Sequence, residues 1–140
     1  MQRDDRVYLG HMLDTARKAL LKIKGRKQAD CEKDEDFCIV LAYLVQIFGE
    51  AANRVSVSFR KSHPEIPWNK IIATRHKIVH DYLSVDFGIV LGVVFKEFPA
   101  LLPALEKYVT EENNFEINEP PAAYRAGKAK RKPRRGGKRK

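Results

Sequence analysis

Ten consecutive residues, Ile39-Val-Leu-Ala-Tyr-Leu-Val-Gln-Ile-Phe48, are apolar on nearly every side of any helix they form. Such a helix has no face to give to water, so it belongs in the middle of a bundle or against another subunit. The flanking sequence predicts its bounds, residues 35 to 55, with Asp34 or Asp36 as the cap. Leu9, Met12, Leu13, Ala16, Leu20 and Ile23 recur at helical spacing and predict a first helix over residues 4–24, ended by Gly25. Residues 26–35 are polar and read as a loop, and 56–67 as a short helical turn with an irregular link. Pro67 suits the first position of a third helix that runs to near His80. Ser84 or Asp86 caps a fourth helix through Glu97, Pro99 kinks or breaks it, and Ala100–Val109 forms a last helical piece. No strand and no internal repeat is evident. The expected fold is all-α, an up-and-down helical bundle of four to five helices over residues 1–119.

The chain has 140 residues, room for one domain, and a formal net charge of +9 that misleads until it is divided. Residues 125–140 hold ten of the 27 Lys and Arg and no acid, leaving 17 basic against 18 acidic groups in the rest. The body is electrically balanced. Residues 120–140, opened by Pro120 and Pro121, read as a disordered basic tail. Ten cations without aromatics make an electrostatic arm for RNA, or equally a solubilising extension. No apolar run approaches the ~18 residues of a membrane span; the best, Ile89–Phe95, is interrupted by Gly92. The N-terminus leads into no apolar stretch of a secretory signal. Cys31 and Cys38, if two helical turns apart, stand roughly 10 Å from one another and read as reduced thiols of a cytoplasmic protein.

Chemistry concentrates in Trp68-Asn-Lys-Ile-Ile-Ala-Thr-Arg-His-Lys-Ile-Val-His-Asp-Tyr82. On a helix Ile71, Arg75, Ile78 and Tyr82 share one stripe, and Ile72, His76, Val79 and Leu83 the adjoining one. A half-buried guanidinium cannot shed its charge, so Arg75 needs an acid, a phosphate or a second subunit, and Glu50 is the acid of choice. Alternatively Arg75 and Glu50 are only a structural pair and His80 a satisfied core histidine. His76 and His80, at i and i+4, also form half a zinc site. The Glu of His-Glu-x-x-His and any further ligand cluster are missing, so neither metal nor cofactor is expected.

Arg75-His-Lys-Ile-Val-His80-Asp-Tyr82 resembles the Arg-x-x-x-x-His-x-Tyr signature of HepT-like proteins of the HEPN superfamily. Asp5-Arg-Val-Tyr-Leu9, Gly49-Glu-Ala-Ala52, His63-Pro-Glu-Ile-Pro-Trp68 and Val85-Asp86 resemble that family in the same order, over residues 3–110. His76 and Thr74 depart from its commonest residues, and the tail lies outside the resemblance. The resemblance implies a metal-independent endoribonuclease toxin and a homodimer whose facing Arg75 and His80 motifs form a composite site for RNA. It also implies an MntA-like nucleotidyltransferase antitoxin that AMPylates Tyr82. His76 would support substrate or orient Arg75. The alternative is a catalytically silent module that binds nucleic acid and tethers a nucleotidyltransferase.

Overall fold

Helix-forming periodicity, caps and two prolines account for most of the architecture. The computed structural model describes residues 3–81 and 83–116. Tyr82, Pro120, Pro121 and the basic arm of residues 125–140 lie outside them. The described residues up to Val109 form one compact unit; Thr110 begins a second, of which residues 110–116 are helical. No strand occurs among the described residues.

α1 (Arg3–Ile23) buries Leu9, Met12, Leu13, Ala16 and Ala19 on one stripe. It stops where Gly25 takes φ +77, a conformation that side chains with a Cβ rarely adopt. The polar link expected over 26–35 contains a short α2 (Gln28–Cys31). Asp34 then caps α3 (Glu35–Arg54), its Oδ1 accepting from the Phe37 N–H at 3.1 Å. Because the chain breaks between α2 and α3, the two cysteines are not two turns apart on one helix. Cys38 Sγ donates to the Cys31 carbonyl at 3.2 Å, and both residues are fully buried. The ~10 Å separation expected for a single helix is therefore corrected. Burial pushes both thiols above their ordinary pKa, so the reactive thiolate is scarce at neutral pH. A disulfide-exchange reagent is expected to titrate neither cysteine in the folded protein and both after denaturation.

α3 is the central rod, packed against α1, α5 and α6. Its buried side includes Leu41, Leu44, Val45, Phe48 and Ala52, while Ile39 and Val40 remain 53% and 41% exposed. After α3, Ser56 caps α4 (Val57–Ser62) by accepting from the Phe59 N–H at 3.2 Å. The same hydroxyl donates to buried Asp5 at 2.7 Å, and the Ser56 N–H donates to the other carboxylate oxygen at 2.7 Å. α5 (Trp68–His80) starts one residue later than its proline suggests, Pro67 standing as the cap whose carbonyl accepts from Ile71.

Asp86 caps α6 (Phe87–Gly92) by accepting from the N–H groups of Gly88 and Ile89. Pro99 does not break the helical path beyond it. A π-helical turn, Val93–Glu97, joins α6 to α7 (Phe98–Glu116), with the Phe98 N–H donating five residues back to Val93. The wider turn accommodates a proline that would otherwise crowd the carbonyl four residues before it. Two apolar pieces are thereby fused, and Phe87–Thr110 is, by length and composition, long and apolar enough to cross a membrane. The expectation that no run approaches that length is thus revised. Val90, Leu91, Val94, Phe98 and Leu105 of this helix are fully buried, and Phe98 meets Phe48 at 4.5 Å between ring centroids, as in a bundle core.

Candidate active site

Arg75 reaches its position because α3 and α5 touch backbone to side chain. A Cβ built on Gly49 would lie 2.2 Å from Cβ of Arg75 and 2.8 Å from its Cγ, so only glycine fits at that crossing. The crossing delivers the guanidinium to Glu50, with Nη2 3.0 Å from Oε1. The second oxygen of Glu50 accepts from Arg54 Nε at 2.9 Å. One carboxylate therefore holds two guanidinium groups side by side, leaving a net positive charge. The ion pair with Glu50 and the neighbouring Tyr8 push the Arg54 pKa up, and its Cζ lies 5.9 Å from the centre of the Tyr8 ring. Arg75 Nε is buried without a hydrogen-bond partner, a donor that the fold leaves unused.

Arg75, Glu50 and Arg54 line a cavity of 390 Å³ between α1, α3 and α5. Tyr8 and His11 of α1 and Tyr43 and Gln46 of α3 complete its polar and aromatic walls, over Ile47 and Ala51. Sequence reasoning brings Glu50 to Arg75 and misses the rest of the walls. Tyr8 belongs to one of the family landmarks but carries no role there, and nothing in the spacing shows that α1 faces α5 across this gap.

The histidines lie elsewhere. His80 and His76 are exposed, their ring centroids 4.1 Å apart and tilted by 54°, and neither lines the cavity. Five residues along an α-helix turn a side chain by about 140°, so Arg75 and His80 project to different sides of α5. Exposure also removes the reading of His80 as a core histidine. Among the described residues no group of three His, Cys, Asp or Glu side chains converges. α5 ends at His80, so the expected stripe does not run on to Leu83, which is 87% exposed; Tyr82 lies outside the described residues. Lys77 and Asp81 close this end with an ion pair at 3.0 Å.

The family model for ribonuclease HepT-like proteins matches residues 12–108. The chain belongs to that family. A HepT-like fold is thus the setting of the Arg75–Glu50–Arg54 cluster and of the histidine pair. The chain is 32% identical to a protein of Caldanaerobacter subterraneus provisionally named an RNase, over 76% of this chain and 91% of the relative. It is 34% identical to a provisionally named ribonuclease HepT of Thermococcus cleftensis, over 55% of this chain and 68% of that protein. In Methanocaldococcus jannaschii a protein named for gamma-glutamylcyclotransferase and, provisionally, RNase is 26% identical over 79% of this chain and 50% of its own length. No solved structure is significantly similar to this HepT-like chain.

Proposed function

We propose that this chain is a cytoplasmic, metal-independent endoribonuclease toxin that cuts RNA at a composite site built by two copies of itself. The observation that carries the reading is the divergence of Arg75 and His80 about α5. One protomer offers a phosphate-binding guanidinium in a cavity and an exposed imidazole on another side, and a two-fold pairing of α5 faces supplies two imidazoles to one phosphate. Leu83, three residues past His80 in the chain, and Ile39 and Val40 on α3 are exposed apolar positions that a second copy can cover.

In the reaction one His80 removes the proton from a ribose 2′-OH, whose oxygen attacks the adjacent phosphorus. The P–O5′ bond breaks, and the protonated His80 of the second copy gives its proton to the leaving 5′ oxygen. Arg75 stabilises the charge on the equatorial phosphoryl oxygens. The products are a 2′,3′-cyclic phosphate and a 5′-hydroxyl. An imidazole can take a proton or give one, so the two copies divide the roles of base and acid. His76, within ring contact of His80, supports that imidazole or the substrate.

An MntA-like nucleotidyltransferase antitoxin silences the toxin by transferring adenylate from ATP to the phenol oxygen of Tyr82, with release of pyrophosphate. The added phosphate competes with RNA for Arg75. Intact-mass and peptide mass spectrometry of the protein co-expressed with its antitoxin tests this. Adenylate on the Tyr82 peptide, and a Tyr82→Phe protein that stays toxic beside an active antitoxin, are the expected results. Adducts confined to Tyr43, Tyr108 or Tyr124, or a silenced Tyr82→Phe variant, would defeat it.

A further inference from the structure

We propose that the cavity between α1, α3 and α5 is a binding site for one unpaired ribonucleotide of single-stranded RNA, with the base against Tyr43 and Tyr8 and its phosphate on Arg54 and Arg75. This deepens the ribonuclease reading and rests on it. Three features of the cavity point to this ligand class. Glu50 neutralises only one of the two guanidinium groups it holds, so the pair retains charge and unspent donors for an anion.

Aromatic surface is the second feature. Tyr43 stands at the cavity with 62% of its surface open to solvent, and Tyr8 has the Arg54 guanidinium 5.9 Å from its ring centre and His11 in an edge contact. Aromatic faces beside arginine planes are how proteins hold unstacked bases, whatever their sequence. Size is the third. At 390 Å³ the space falls in the range of small-ligand pockets, and a base inside a double helix could not enter it. Gln46 supplies a carbonyl and an amide for a base edge.

The nucleotide so held is a neighbour of the scissile phosphate, since Arg75 faces both the cavity and, in the proposed reaction, the phosphoryl oxygens. The cavity therefore anchors the strand so that the phosphate on Arg75 is the one on which the two His80 act.

The test uses the full-length protein and a short 2′-O-methyl RNA strand, which cannot be cut, carrying 4-thiouridine. Fluorescence anisotropy is expected to show about tenfold weaker binding by Tyr43→Ala. In Arg54→Gln the slope of log affinity against log salt is expected to flatten by about 0.7, one phosphate contact, and Arg54→Lys to restore it. Photo-crosslinks are expected on the peptides that contain Tyr8 or Tyr43. Unchanged affinity and slope in both variants, crosslinks confined to other peptides, preference for a duplex, or a Tyr43→Ala defect that appears only as a changed oligomeric mass in light scattering would each overturn the assignment. If the protein cuts RNA while both variants bind as wild type, the cavity assignment falls and the ribonuclease reading stands. If the strand binds through the cavity but RNA is never cut, the reverse holds.

Discussion

Alanine at His80 is expected to slow RNA cleavage by a factor of about 10²–10⁴, the usual worth of a positioned acid–base group. Alanine at Arg75 is expected to cost about 10²–10³ through lost charge stabilisation. The two variants differ in their effect on the fold. His80 is exposed at the end of α5, so its loss leaves the helical content and melting temperature near those of the wild type. Arg75 is half-buried and paired to Glu50, so its loss also frees a carboxylate, which Arg54 continues to hold. Both assays are run in EDTA, with the product ends identified. Activity that disappears with the chelator, or a 3′-hydroxyl end, would remove the two-histidine mechanism. The composite site makes one further demand on the same material. Excess inactive His80→Ala protein, mixed and allowed to exchange subunits, is expected to depress the activity of each wild-type subunit. An activity that merely dilutes would place the whole reaction within one protomer.

Gly49→Ala is expected to destabilise the protein by about 1–3 kcal/mol, although alanine is the better helix former by roughly 1 kcal/mol. Sterics decide the sign. The new methyl would fall 2.2 Å from Cβ and 2.8 Å from Cγ of Arg75. Those atoms sit at the root of the side chain, where no rotamer change moves Cβ, so α5 itself must withdraw from α3. Withdrawal lengthens the contact between Arg75 and Glu50, and cleavage is expected to fall together with stability. Gly10→Ala provides the internal comparison. It lies within α1 with nothing near its would-be Cβ, so the same substitution there is expected to stabilise by up to about 1 kcal/mol. Chemical denaturation of the two variants checks both signs. A Gly49→Ala protein as stable as Gly10→Ala would mean that α3 and α5 cross with room to spare.

Periodicity and caps make the long helices legible, because a stripe such as Leu9, Met12, Leu13 and Ala16 carries its own register. Glu50 is legible as the partner of Arg75, since a half-buried guanidinium leaves few alternatives. The rest depends on interactions that spacing does not encode. The polar stretch and the cap between Cys31 and Cys38 are legible, but not that the break between α2 and α3 brings the two residues into contact. Pro99 reads as a kink or a break, yet a π-turn absorbs it and fuses two apolar pieces into one long helix. His76 and His80, interleaved with apolar residues, stand in the open, because of the residues between them only Ile78 is buried. The cavity is invisible in the sequence for a simpler reason. Its walls are drawn from α1, α3 and α5, and only their packing brings Tyr8 and His11 opposite Arg75.

The Ser56 hydroxyl, which donates to Asp5 while accepting from Phe59, links three segments through one oxygen. Asp5 and Ser56 are 51 positions apart in the chain, so this bond must wait until α1 has docked along α3. Docking orients the same hydroxyl that caps α4, and polarisation makes each of the two bonds stronger when the other exists. The start of α4 thus works as a latch that closes only behind a seated α1. Tyr8 lies three residues beyond Asp5, and Arg54 two residues before Ser56, so the latch also fixes how far apart those two walls of the cavity stand. A chain in which α1 has lifted away loses the wall and the latch in one event, and the half-assembled molecule has no finished cavity.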